Sequence, residues 1–182
     1  MRKIFIDAGA YTGDTIDKFL EEISDAQEYG IYAFEPSPEN LIKLRDTGGK
    51  SIIIYEIAVW IEDGVADFYL GRNPVASTLI KTKETGHIDL EKPIRVSTID
   101  FSKWVIRTFN KRDDYIILKM DIEGAEYKVL NKMIDDGSIN YINELWAEYH
   151  GRKISDISSD DTRKLKQKLR TYKHLITKDL KH

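Results

Sequence analysis

The chain has 182 residues, 41% hydrophobic and 32% charged, with a net charge of −3 and no cysteine. That length can bury a core without covalent staples, so one soluble, cytoplasmic domain spanning 1–182 is expected. Missing cysteines exclude disulfides, thiolate metal sites and cysteine nucleophiles, the charge gives no argument for an obligatory nucleic-acid partner, and no apolar run approaches the ~20 residues of a membrane-spanning helix.

The opening MRKIFIDAG is a charged pair running directly into an apolar strand, KIFIDA, and is expected to be no signal peptide. From Thr15 onward, Ile16, Phe19, Leu20 and Ile23 fall on one face and predict a helix. GIYAFEP predicts a second strand ended by Pro36, and SPENLIKL a helix with Ser37 as N-cap and Pro38 at its first position. SIIIYEIAV is a continuous apolar run, as expected of an interior strand covered on both faces.

The section from Glu62 to Ser97 breaks the pattern. VADFYLG and PIRVSTID read as strands, joined by RNPVASTLIKTKETGHIDLEK, which is too long and polar for a simple connection. Such loops are usually functional or mobile, and 62–97 is expected to be a β-rich insertion that takes part in acceptor recognition. YIILKMD is a further strand, followed by a helix in which Ala125, Val129 and Met133 share a stripe, and NELWAEYH is a fifth. Leu165, Leu169 and Tyr172 mark a last helix before a terminal strand, KHLIT. Strands alternating with helices predict an α/β fold, a doubly wound and mostly parallel sheet with helices on both faces.

The turn in IFIDAGAYTGDTI limits the ligand. A dinucleotide fingerprint needs glycines at G-x-G-x-x-G, and the corresponding positions here are Gly9, Tyr11 and Asp14. A tyrosine occupies the close-approach position, and Asp14 repels a diphosphate at the helix N-terminus. No G-x-x-x-x-G-K phosphate loop is present either. The turn therefore suits a nucleotide-like ligand without phosphates, and S-adenosylmethionine, which carries a sulfonium and an ammonium, fits. On this reading Gly9 and Gly13 let the backbone wrap the methionine portion. Asp7 meets the ammonium, and Glu35 accepts hydrogen bonds from both ribose hydroxyls.

DAGAYTGDT, FEPSPENLIKL, EIAVW, ASTL, VSTID, LKMDIEGAEYKVL and AEYHG follow in order from Ile4 to about Gly151. With these segments the chain resembles the FkbM family of S-adenosylmethionine-dependent methyltransferases, DIEGAE with the following VL being the most specific piece. The resemblance implies a Rossmann-like methyltransferase sheet and O-methylation of a hydroxyl group, on a carbohydrate, glycoconjugate or secondary metabolite, leaving S-adenosylhomocysteine. It also implies a cofactor loop of Asp7, Gly9, Tyr11, Thr12, Gly13 and Thr15, with Glu35 and Pro36 at the ribose. Ala58 and Val59 lie beside the adenine in such a site, and Asp121 near the methionine end. The family commonly carries asparagine where this chain has Tyr11.

A hydroxyl acceptor must lose a proton, so a base is expected among Asp121, Glu123, Glu148 and His150, at the ends of the fourth and fifth strands. His150 is the expected base for its ordinary pKa near 6.5, oriented by Glu148 or Asp121; a surface histidine is the alternative. Glu123 is expected to cap the helix near Gly124 rather than to work in catalysis. The same four residues could gather a divalent cation, but their spacing does not compel one and no metal is predicted. In the long loop, Ser77, Thr78 and Lys81 are candidates for acceptor recognition. Trp60, Trp104 and Trp146 are expected in the core or at its rim, Trp60 being the one that follows the adenine segment.

The C-terminal Arg163, Lys164, Lys166, Lys168, Arg170, Lys173, Lys178 and Lys181 far outnumber the acids among them, such as Asp161 and Asp179. They read as the solvated side of an amphipathic helix before they read as a phosphate-tracking stripe. The expected partner is thus a small-molecule or glycan hydroxyl acceptor, with no nucleic acid and no membrane. The rivals are an RNA ribose methyltransferase and a non-catalytic binding or scaffold module that keeps the fold.

Overall fold

In the computed structural model, which describes residues 1–47 and 51–180, the amino-terminal apolar run forms β1 (Arg2–Ala8), buried from Ile4 onward. It leads through a glycine turn into α1 (Asp14–Glu22), then β2 (Tyr29–Phe34), α2 (Pro38–Leu44) and β3 (Ile52–Tyr55). Three strands follow, β4 (Ala58–Trp60), β5 (Gly64–Phe68) and β6 (Ile94–Asp100), before α3 (Phe101–Thr108) and β7 (Asp114–Met120). The chain finishes with α4 (Glu126–Asp135), β8 (Glu144–Ala147), α5 (Ser159–Arg170) and β9 (Ile176–Asp179).

The main sheet runs β3-β2-β1-β7-β8-β9 with every neighbouring pair parallel. Side chains alternate across it, so the two central strands feed two cores. Phe5 and Ile117 face Ile16, Phe19, Leu41 and Leu44 of α1 and α2. Ile4, Ile6, Ile116 and Leu118 face Phe101, Val129 and Leu165 of α3, α4 and α5. Helices therefore cover both faces of a Rossmann-like α/β sheet, as the alternation of elements predicts. Among the described residues no helix is long and apolar enough to cross a membrane.

The structure differs from the sequence expectation in three places. SIIIYEIAV is not one interior strand. β3 is the edge of the main sheet, with Ile53 46% exposed, and beyond Glu56 the chain enters a second sheet, β4-β6-β5. An apolar run records burial, not which sheet provides it. α3 was not anticipated. Asp100 starts it by accepting the Lys103 backbone N–H at 3.1 Å, and Phe101 and Val105 are fully buried. Ser37 does sit at the N-cap of α2, but its side chain makes no capping bond. Glu35 serves there instead, accepting the Ser37 backbone N–H at 2.9 Å and Asn40 Nδ2 at 3.1 Å.

Phe101 has no exposed surface; its ring is edge-on to Phe34 and stacked on Trp104, with 5.5 Å between centroids in each case. Phe101→Ala is expected to cost about 3–5 kcal/mol, read as a lower denaturant midpoint at unchanged slope. A second expectation concerns acid. Buried Asp114 accepts Arg2 Nε at 2.7 Å and Nη2 at 2.6 Å, and the Asn110 backbone N–H at 2.7 Å. The Arg2 hydrogen bond holds the Asp114 carboxyl below its ordinary range. A depressed folded-state pKa contributes stability above the unfolded value, near ~4, that is lost as pH falls through the folded one. Asp114→Asn should therefore lower the neutral-pH melting temperature and shrink the further loss on acidification; equal acid sensitivity in both proteins would contradict this.

Candidate functional site

From β1 the chain winds outward through β2 and β3, and β7 then pairs with the free side of β1. This is the switch point of the sheet, where the loops after β1 and β7 meet at the carboxyl ends of their strands. They meet closely. Gly9 adopts φ 82°, and a Cβ on it would lie 2.0 Å from the Asp121 carbonyl oxygen, so only glycine fits. Buried Lys119 ties the two loops together. Its Nζ donates to the Gly9 carbonyl at 2.7 Å and lies 3.0 Å from Asp7 and 3.9 Å from Asp121. Burial disfavours this ammonium, but Asp7 and Asp121 outweigh it and raise its pKa above the ordinary lysine value.

Glu35, 5% exposed, closes the other side of the turn, accepting the Tyr11 backbone N–H on Oε2 at 2.9 Å. Its burial raises its pKa despite the three donors around it. Tyr11 itself has φ 52°, in the left-handed region that asparagine tolerates better than tyrosine. The tyrosine here therefore bears a local strain.

A second group of side chains gathers behind the β7 loop. His150 is 1% exposed. Its Nδ1 lies 3.2 Å from Glu126 Oε1, and its Nε2 lies 3.0 Å from Glu148, 3.2 Å from Glu123 and 3.6 Å from Asp121. Glu126, fully buried, accepts the His150 backbone N–H and the Gly124 backbone N–H, each at 2.7 Å. Glu123 has φ 53° and turns its carboxylate between His150 and the buried Lys83, whose Nζ also reaches the Ala76 carbonyl. Burial would raise the Glu123 pKa, but His150 and Lys83 bring it down to about 2. The same opposition acts on the ring. Burial favours neutral imidazole, yet Glu123 and Glu126 hold its pKa up to about 10 in the protein alone.

Between these groups lies a cavity of about 490 Å³. Gly9, Tyr11 and Thr15 line it from the first turn, Glu35 and Pro36 from the end of β2, and Ala58 and Val59 from β4. Asp121 and Glu148 line it from the ends of β7 and β8. Four of the expected site residues are not on its wall. Asp7 is fully buried behind Lys119, so an ammonium already meets it from within the protein. Gly13 serves packing: a Cβ there would lie 2.2 Å from Thr47 Oγ1, which donates to the Thr12 carbonyl at 3.0 Å. His150 lies behind the wall, with carboxylates facing both ring nitrogens.

Two further expectations are corrected. Glu123 does not cap α4; it faces His150 and Lys83, and the Gly124 backbone N–H is taken by Glu126. The strand expected over NELWAEYH is shorter: β8 ends at Ala147, and a loop after it brings Glu148 and His150 together. In the long loop, Ser77 reaches the wall, whereas Thr78 ties the loop to the Glu123 carbonyl at 2.8 Å and Lys81 is exposed.

Lys119, Lys18 and Lys153 on the wall were not anticipated. A lysine inside the apolar run YIILKMD was the one visible sign of the first; nothing local marks the other two. Trp104 joins the Phe34 and Phe101 rings and Trp146 the opposite core. Trp60 lies under Lys128, 5.2 Å from its ring centre. The basic residues of α5 are largely matched: Lys164 pairs with Asp160 at 2.7 Å and Lys166 with Asp179 at 2.6 Å, and Lys168 bonds Asn131 at 3.0 Å. Lys178 of β9 pairs with Glu144 at 2.7 Å. Lys181 lies outside the described residues. Such a surface suits a solvated face more than a phosphate track.

A family model described as the Methyltransferase FkbM domain matches residues 7–172. No curated protein and no solved structure matches the chain.

The Lys119–Asp7 pair gives the prediction for this region. Lys119→Met leaves Asp7 buried without its cation and should cost about 3–5 kcal/mol in denaturant unfolding. The double variant Asp7→Asn with Lys119→Met should lose clearly less than Lys119→Met alone, because no charge is then stranded. Additive losses would show that the two side chains act independently.

Proposed function

The chain belongs to the FkbM methyltransferase family, and we propose that it moves a methyl group from S-adenosylmethionine to a hydroxyl oxygen of a small-molecule or glycan acceptor. The observation that carries this reading is the charge of the cavity wall. Asp14, Glu35, Asp121, Glu123 and Glu148 outnumber Lys18, Lys119 and Lys153 on it, an excess that favours a cationic ligand over a phosphate. Asp14 and Asp17 also occupy the first turn of α1, where a diphosphate would otherwise be held.

S-adenosylmethionine fits these residues in charge and in size, the cavity volume of about 490 Å³ being usual for a small-molecule site. Ala58, Val59 and Pro36 offer an apolar wall for the adenine, with Glu35 beside it at the ribose. Three donors of the protein already occupy Glu35, and a carboxylate has about four lone-pair positions, so it has room for one ribose hydroxyl rather than two.

When bound, S-adenosylmethionine supplies a methyl group on a positively charged sulfur, and the acceptor's oxygen–carbon bond forms as the sulfur–carbon bond breaks. The chain's main contribution is alignment of the acceptor oxygen opposite the departing sulfur, which by itself can remove much of the barrier. The acceptor proton goes to a carboxylate, and we assign this role to Glu148. It lies on the wall, 3.0 Å from His150 Nε2 and 3.7 Å from Lys153, within reach of an acceptor hydroxyl in the cavity. Ser77, Lys18 and Lys153 add polar groups to the cavity wall, which suits a hydroxyl-rich acceptor of the carbohydrate or glycoconjugate class.

Calorimetric titration tests the donor. Micromolar binding of S-adenosylmethionine is expected, with no binding of NAD, and Glu35→Ala should weaken it at least ~10-fold. With an acceptor in hand, Glu148→Gln should lower kcat by roughly 10²-fold while leaving donor affinity unchanged. Wild-type protein that ignores the donor with and without hydroxylated acceptors would sink the reading.

A further inference from the structure

The geometry points to a divalent-cation site formed by Asp121, Glu123 and His150, its open positions facing the cavity. His150 Nε2 lies 3.2 Å from Glu123 Oε1 and 3.6 Å from Asp121 Oδ1, and one ligand atom from each of the three residues falls within 4.8 Å of the others. A cation roughly 2.1 Å from each atom, an ordinary metal–ligand length, sets neighbouring ligands about 3 to 3.6 Å apart.

Carboxylate clusters are common without an ion, and the histidine is what singles this one out. The ring is 1% exposed, and its Nε2 makes no hydrogen bond although it points into the oxygens. Its Nδ1 faces the fully buried Glu126, 3.2 Å away. A carboxylate on one ring nitrogen is the usual device for fixing a metal-binding histidine with its other nitrogen forward. Glu126 is itself fixed by the Gly124 and His150 backbone N–H groups, so the ring's orientation is built into the fold.

The charges agree. Asp121, Glu123, Glu126 and Glu148 all lie within 3.6 Å of the ring nitrogens. Lys83 answers Glu123, Lys153 answers Glu148, and Lys119 lies 3.9 Å from Asp121 and 3.0 Å from Asp7, so the four carboxylates around the ring outnumber the lysines beside them. One imidazole with two carboxylates suits Mn²⁺ and its neighbours rather than a soft metal. Asp121 and Glu123 line the cavity while His150 closes the far side, which leaves the near side to water or to acceptor oxygens. An ion there would bind the acceptor hydroxyl and lower its pKa next to Glu148. That role rests on the methyl-transfer reading; the site itself does not.

The test is titration of the ion-stripped full chain with Mn²⁺ near neutral pH, following the free ion by electron paramagnetic resonance. One ion per chain is expected, with a Kd on the order of 10 to 100 µM. Glu123→Gln should weaken it at least ~10-fold, and so should Glu126→Gln, which alters the group behind the ring and none of the three ligands. Circular dichroism checks each variant, and His150→Gln replaces any that fails to fold. No saturable site at about 1 mM Mn²⁺, or affinity unchanged in the folded variants, overturns the proposal. S-adenosylmethionine is titrated separately. Donor binding without Mn²⁺ binding overturns the ion site alone; Mn²⁺ binding without donor binding overturns the donor reading and leaves the ion site standing.

Discussion

A single buried ammonium organises this protein. Lys119 stands at the end of a central strand, where an all-parallel sheet leaves little room for charge, and pairs with the Asp7 carboxylate of the neighbouring strand while donating to the Gly9 carbonyl in the turn that follows it. The pair fixes how far the first turn opens from the β7 loop, and the contact between Gly9 and the Asp121 backbone fixes how near it comes. Every other functional side chain is referred to that junction. Tyr11 and Glu35 hang from the turn on one side, and Asp121 and Glu123 from the loop on the other.

Around the junction the molecule uses its carboxylates in two distinct ways. Asp7 and Glu126 face inward and hold a buried cation or backbone N–H groups, giving the loops their shape, and Glu35 holds backbone N–H groups while also lining the cavity. Asp121, Glu123 and Glu148 reach the cavity and carry their charge to it. The long connection between β5 and β6 completes the enclosure. It is not a loose lid: Thr78 and Lys83 bind it to Glu123, and through Ala76 and Glu123 the buried lysine joins two segments that share no sheet.

Much of this was legible in the sequence because it is periodic or local. The parallel sheet follows from the alternation of apolar runs with helical stripes, and the first turn from its glycines. What escaped was non-local. An apolar run such as SIIIYEIAV carries no record of a change of sheet, and Asp7 reads as a ligand residue until the lysine that buries it is known. His150 reads as a free imidazole until three carboxylates from the β7–α4 segment, with Glu148 of its own loop, close on it. Residue type announces chemistry, but partners decide which chemistry is left. Glu126 is the sharpest instance, a helix-start acid by its position whose value lies in the ring it orients.

The pairing of β1 with β7 has a consequence for how the molecule comes into being. Lys119 and Gly9 are 110 residues apart in the chain, so the first strand leaves a ribosome long before its inner neighbour exists. Until then β1 can pair on one side only, through β2, and the apolar edge awaiting β7 is open to solvent and to other chains. Closing so long a loop is slow compared with forming a helix or hairpin. No fragment ending before β7 can contain a site, and the cavity forms late, at the step that shuts the sheet.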